Sequence, residues 1–383
     1  MNFQDSYTLV NSGEGLQPLL EELSHYEIAA VDTEADSMYH YNVRLCLIQI
    51  TVGDRHWIVD PLAGLDLSPL FRTRAMQSMI FHGADYDLRM LWNTYHFAPK
   101  SVFDTMLAAK LLGEEKLGLA NLVEKYFNVT LIKDNQKADW TTRPLPPDMC
   151  EYAIHDTSYL HELCAILGEQ LQRQGKFGWL MEMCNTVMDH AKCPHEFSPD
   201  RWRISGSHYF PPKSLNILKH VWEWREKEAA ALDRPPYKVM NPDLMLAIVR
   251  SVAYHYPAID MDSLPRLPRN FTGDRLESFK AAIQSAIDTP ESEWPEPPKR
   301  PEPPEHAPDT NLLDAIHAWR DEKAAELHFD PVLLGNRTQL VELATPSDKT
   351  WEERFEAAHL MNFQKQMWSD ILRAHLSTQE SNG

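Results

Sequence analysis

The chain has 383 residues, 43% of them hydrophobic, and a formal net charge of −19. That size and composition suit two or three globular domains and exclude a disordered or fibrous chain. The overall acidity alone argues against a nucleic-acid partner, and without a run of about 18 apolar residues no membrane span is expected.

The charge is unevenly spread. Residues 1–199 carry a net −12, residues 281–308 carry −4 and residues 309–383 carry −6, whereas residues 200–280 are basic at +3. A carboxylate-rich region can also be a cation site, because a bound metal inverts the local charge argument. The opening MNFQDSYTLVNSGEGLQPLL lacks the basic start and apolar run of a secretory signal. The five cysteines show no CxxC pairing, so reduced thiols in a cytoplasmic protein are expected. Cys184, His190, Cys193 and His195 are metal-ligand types, but their spacing matches no usual zinc pattern.

In chain order, residues 28–34 form the first clear strand, apolar until it ends in carboxylates. Residues two apart on a strand share a face, so Asp32 and Glu34 project together. Residues 44–52 (RLCLIQITV) and 56–60 (HWIVD) are strands around a Gly53-Asp54 turn. Gln49, inside the first of them, reads as a buried structural amide. Residues 79–82 are a short strand, and HGADYDL then starts a helix over 87–94 with Asp87 at its N-terminus, where a carboxylate is favoured. Asp85, two residues earlier, competes with it. Helices follow over 104–112, 117–127 and 148–174. On the last, Tyr152 and Asp156 are four apart and share a face. Each element alone has an ordinary reading as a strand end, a helix cap or a surface charge.

Beyond residue 200 the strand signals fade. LKHVWEWREKEAA (218–230) and LDAIHAWRDEKAA (313–325) repeat at an offset of 95 residues, which Pro236 and Pro331, and Asn241 and Asn336, also keep. They predict two copies of one helical module. Residues 290–308 hold 8 prolines in 19 positions and form an extended spacer.

DxE on an early strand, Asp at a helix start and YxxxD on a late helix, in this order, resemble the DEDD exonucleases of the tyrosine branch. With Asp139-Trp140, Arg143-Pro144-Leu145, Glu151-Tyr152-Ala153, the CLIQI run at 46–50 and Asp104-Thr105, nearly the whole chain resembles the ribonuclease D family. The repeats resemble its helicase-and-RNase-D C-terminal (HRDC) modules. His155 stands where that family usually has a small residue.

The resemblance implies an α/β ribonuclease H-like exonuclease domain (1–195) followed by two all-α HRDC-type helical domains (205–289 and 309–376) around a linker (290–308). It implies a 3′→5′ exoribonuclease with two divalent cations, Mg²⁺ or Mn²⁺, that releases 5′-mononucleotides from RNA 3′ ends, precursor tRNA among them. Asp32 would bridge both ions, Glu34 and Asp156 would complete the site that carries the attacking water, and Asp87 would hold the second ion. A phenol is a weak base at neutral pH, so Tyr152 is expected to orient that water rather than deprotonate it. Met38, Tyr39, His82, Tyr86 and Trp140 are candidates for contacting the frayed 3′ end. Lys213, Lys219, Arg225, Lys238 and Arg250 are candidates for phosphates. The alternatives are a DNA 3′→5′ exonuclease with the same metal site and a non-catalytic RNA-binding scaffold.

Overall fold

The computed structural model describes residues 7–131, 135–193, 199–258, 261–298 and 307–380, with side chains to 375. His195 and residues 299–306 of the proline-rich stretch lie outside them. The chain resolves into two compact units. One comprises Met1–Ala35, Leu45–Pro194 and Pro303–Gly383, and the other Asp36–Arg44 and His195–Glu302.

In the first unit, β1 (Tyr7–Val10) leads into α1 (Gly13–Leu23), capped by the Ser12 hydroxyl. Then come β2 (Ala29–Ala35), β3 (Leu45–Val52), β4 (Arg55–Val59), α2 (Ser68–Phe71), β5 (Ser78–Phe81), α3 (Asp85–Tyr95) and β6 (Ser101–Asp104). Helices α4 (Thr105–Leu111), α5 (Leu119–Phe127), α6 (Pro147–Ser158), α7 (Leu160–Arg173) and α8 (Phe177–Ala191) complete this part. The sheet order is β1-β4-β3-β2-β5-β6; β2–β3–β4 is an antiparallel meander, and the pairs β1–β4, β2–β5 and β5–β6 are parallel. Every residue of β3 is buried, which explains why the strand is apolar except at Gln49 and Thr51.

The helix expected over 148–174 is two helices. Thr157 Oγ1 and Ser158 Oγ both donate to the Ile154 carbonyl, at 3.3 and 2.7 Å, and compete there with the backbone ladder. The chain breaks at Tyr159 (φ −105, ψ 0), which leaves α6 free to take its own direction across the sheet.

The second unit is helical: α9 (Pro212–Ala231), α10 (Pro236–Val239), α11 (Pro242–His255) and α12 (Asp274–Asp288). Its core joins Leu218, Val221 and Trp224 of α9 to Ile248 and Val249 of α11 and Phe279 and Ile283 of α12. The C-terminal helices are α13 (Thr310–Glu326), α14 (Arg337–Ala344), α15 (Trp351–Ala357) and α16 (Asn362–Glu380). The 95-residue repeat recurs at the level of structure. Its two tryptophan-containing segments lie in α9 and α13, and Asn241 and Asn336 are the N-caps of α11 and α14, accepting from Leu244 N and Gln339 N.

The C-terminal helices build a small core of their own around Ile316, Leu340, Phe355 and Trp368. They also give Ala324, Phe329, Leu333, Leu334 and Phe363 to the core of the sheet domain. At that seam Lys176, 4% exposed, donates to the carbonyls of Leu111 (3.1 Å) and Leu327 (2.9 Å). The Glu182 carboxylate accepts from Asn362 N and Phe363 N at the start of α16, and Trp179 stacks on Phe363 with centroids 5.3 Å apart. Gly113 (φ 81) touches the same seam: a Cβ there would lie 1.9 Å from the His328 carbonyl oxygen.

Candidate active site

Strand β2 delivers Asp32 and Glu34 to one face of the sheet, on which α6 packs. Tyr152 and Asp156 face them from that helix, and the Tyr152 hydroxyl donates to the Asp156 carboxylate. One carboxylate oxygen each from Asp32, Glu34 and Asp156 lies within 4.8 Å of the other two.

Asp87 arrives from the other side. β5 pairs with β2 only at Ala29 and Ala30, so the rest of that edge of β2 is free of a neighbouring strand. The Asp87 Oδ1 fills the gap, accepting from Thr33 N (2.9 Å) and Thr33 Oγ1 (2.6 Å). Asp85 is exposed and paired with Arg89, whereas Asp87 is 7% exposed. Of these two aspartates, Asp87 lines the cavity of the other carboxylates and Asp85 is turned to Arg89.

The turn into α3 is held by Asp104, which is 2% exposed. Its carboxylate accepts from Gly83 N, Ala84 N, Met106 N and Leu107 N, so it caps α4 while fixing the β5–α3 turn. Gly83 adopts φ 83 there. Thr105 Oγ1 donates to the Phe81 carbonyl and bonds His82 Nδ1 at 2.9 Å. A second brace precedes α6. Arg143 grips Asp60 with two nitrogens (2.6 and 2.7 Å) and donates to the carbonyls of Cys46, Trp140 and Thr142.

The four carboxylates and Tyr152 line a cavity of about 420 Å³, together with His82, Tyr86, Leu119, Leu131 and Gln136. Burial, followed by the charges of the neighbouring carboxylates, holds Asp32 and Glu34 well above the ordinary carboxylate range. Burial pushes Asp87 and Asp156 up to about 7, against the hydrogen bonds from Thr33 and Tyr152 that favour their ions. Burial and the charges of Asp156, Glu34 and Asp32 also raise the Tyr152 phenol. Acidic oxygens crowded in this way repel one another unless a cation or proton stands between them. They are the hard donors that Mg²⁺ and Mn²⁺ prefer.

Among the substrate candidates, His82 and the exposed Tyr86 line the cavity. Trp140 does not. It is 2% exposed, packed with Cys46, Leu47 and Ile58, and its ring lies 6.0 Å from that of Tyr152. Its assignment as a base-stacking residue is corrected: it has no free face, and it backs the tyrosine instead. Met38 and Tyr39 belong to the second unit, where Met38 is exposed and the Lys238 ammonium sits 4.5 Å from the Tyr39 ring centre. His155 lies on α6 beside His56, and burial lowers both imidazoles from their ordinary value. Of the phosphate candidates, Arg225 is 7% exposed and paired with Glu226, which removes it, while Lys238 and Arg250 are exposed. The roles of Thr33, Asp104 and Arg143 as braces were not legible from the motifs alone; Asp104-Thr105 and Arg143 stood out only by resemblance.

Residues 7–172 match the family model described as 3′-5′ exonuclease, and residues 214–252 match the HRDC domain. The chain is 30% identical over 287 residues to ribonuclease D of Nitrobacter hamburgensis, covering 73% of this chain and 74% of that one. It is 29% identical over 319 residues to ribonuclease D of Pseudomonas paraeruginosa, covering 80% of each. The crystal structure of Escherichia coli RNase D superposes with a TM-score of 0.67 at 23% identity, covering 96% of this chain and 99% of that one. A protein from Bifidobacterium adolescentis superposes with a TM-score of 0.80 at 22% identity, covering 96% of both.

Proposed function

The chain belongs to the ribonuclease D family of DEDD 3′-5′ exoribonucleases, and from that premise we propose that Asp32, Glu34, Asp87 and Asp156 hold two divalent cations, Mg²⁺ or Mn²⁺, where the last phosphodiester of an RNA is hydrolysed to a 5′-mononucleotide. The observation that carries this reading is the convergence of Asp32, Glu34 and Asp156 within 4.8 Å, with Asp87 lining the same cavity. When bound, such a cation pair activates a water and stabilises the leaving 3′-oxygen.

The chain's own residues do the rest. Asp32 would be shared by both cations, with Glu34 and Asp156 holding one of them beside it. Asp87, with one oxygen committed to Thr33, would offer its other oxygen to the second cation. Tyr152 keeps its proton, because its phenol is raised, and orients the attacking water by its hydroxyl. His82 and Tyr86 flank the terminal nucleotide, with Tyr86 offering an exposed ring for stacking.

Precursor tRNAs and other small structured RNAs are the proposed substrates, met in the cytoplasm. Among the described residues no helix is long and apolar enough to cross a membrane. The basic unit carries Arg250 and Lys238 together with Tyr209 and Tyr237, all exposed. These suit RNA backbone and bases, and we assign substrate guidance to this helical module.

The test is digestion of one RNA labelled at its 3′ end or at its 5′ end, with Mg²⁺ and with chelator, beside a matched DNA. The expected result is immediate loss of the 3′ label as mononucleotide, a ladder from the 5′ label, no reaction with chelator and preference for RNA. Internal cleavage, or equal activity in chelator, would refute the assignment.

A further inference from the structure

Gln49 is 1% exposed, and neither its amide nitrogen nor its amide oxygen has a hydrogen-bond partner among the described residues. Thr51, two residues on, does find a partner, bonding Thr157 Oγ1 of α6 at 2.7 Å. A buried amide without a partner is costly, and an apolar residue of equal length would fill the same space without that cost. Packing therefore does not explain why a glutamine stands there.

Its position points to a role. In the antiparallel pairing of β2 and β3, Gln49 is directly opposite Asp32, so the two side chains emerge on the same face of the sheet. Leu47 and Thr51 flank it on that face. Leu47 packs with Cys150, Ala153 and Ile154, and Thr51 with Thr157, so Gln49 lies under the middle of α6. It thus occupies the layer between the strand that carries Asp32 and the helix that carries Tyr152 and Asp156.

We propose that Gln49 is a positioning residue of the carboxylate centre: its amide nitrogen, which bonds no described residue in this structure, would donate to the Asp32 carboxylate across the strand pair in the cation-bound chain and fix the orientation in which Asp32 holds a divalent cation. Outer groups that orient ligands in this way change metal affinity and turnover 10–100-fold when lost. The inference rests on the reading of Asp32 as a cation ligand.

The test compares Gln49→Met, of nearly equal volume, with the parent in three measurements: the thermal midpoint in chelator, Mn²⁺ affinity followed by the free-ion EPR signal, and kcat and KM on a short RNA. The expected result is a midpoint at or above the parent's, Mn²⁺ affinity and kcat each down about 10–100-fold, and KM within about twofold. Parental Mn²⁺ affinity and kcat would overturn the proposal, as would a lowered midpoint with Mn²⁺ affinity unchanged, which is the mark of a packing role. If Gln49→Met does not accumulate as folded protein, Gln49→Leu is read by the same criteria. Asp32→Asn in parallel separates the two levels. An inactive Asp32→Asn beside a parental Gln49→Met defeats this inference alone, whereas an active Asp32→Asn defeats the reading of the site.

Discussion

At the scale of single residues, the carboxylates of the cavity make the metal-free protein sensitive to pH in a direction opposite to that of most surface acids. Asp87 and Asp156 rise from an ordinary 3.8 to about 7 in the folded chain, and Asp32 and Glu34 also move well up. The folded state therefore binds protons more tightly than the unfolded one. The stability these groups allow is full below about pH 4 and lost as pH rises through about 7. In chelator the thermal midpoint is expected to fall between pH 5 and pH 8, and millimolar Mg²⁺ to restore it at pH 8. A flat or rising midpoint in a chelator-treated melting series would contradict this. Asp156→Asn removes one of these charges, so it is expected to raise the chelated midpoint at pH 8 while cutting turnover by orders of magnitude. Tyr152→Phe is expected to cost less, on the order of 10–100-fold in kcat with little change in KM, because it removes only the orientation of water. Unchanged kcat in steady-state assays would remove the tyrosine's role. The DxE and YxxxD spacings were legible because strand and helix periodicities fix which side chains share a face. The clasp between Asp87 and Thr33 was not, since it joins residues 54 apart and depends on β5 stopping short of the end of β2.

At the scale of elements, Asp104 connects two turns. It caps α4 and holds Gly83 and Ala84, the step from which α3 carries Asp87 to β2. Asp104→Ala leaves four backbone donors without their carboxylate and is expected to cost about 2–3 kcal/mol. Activity should fall further than the loss of folded protein explains, because Asp87 loses its footing. Denaturant melts beside single-turnover rates check this; parental rates in the folded fraction would confine Asp104 to stability. Sequence placed β2 to β5 and α3 to α5 to within a few residues because their periods are strong. It missed β1 (Tyr7–Val10), four residues whose pairing partner, β4, lies some fifty positions away. It also fused α6 with α7, because the apolar pattern runs on through Tyr159 and only the bonds of two hydroxyls to one carbonyl mark the break.

At the scale of the whole molecule, the C-terminal helices complete the core of the sheet domain. Lys176, Trp179 and Glu182 of the sheet domain are met by Leu327, Phe329 and Phe363. Deleting residues 307–383 bares that apolar seam and leaves the Lys176 ammonium, already disfavoured by burial, without the Leu327 carbonyl. The truncated chain is expected to melt lower and to aggregate, losing activity even on short unstructured RNA that needs no guidance. A truncation that keeps its midpoint and its rate on such an oligonucleotide would show the seam to be dispensable. Glu182→Ala, which uncaps α16, is the milder probe, at about 1 kcal/mol. The repeat predicted two kindred modules, but nothing in their similarity tells which of them joins the sheet domain; that is decided by the few apolar residues after α13. The seam also sets a clock on synthesis. Residues 176–182 are made roughly 180 residues before the start of α16, on the order of ten to forty seconds at about 5–20 residues per second. Throughout that interval the nascent sheet domain lacks a wall of its own core, and it completes its fold only once α16 has been made.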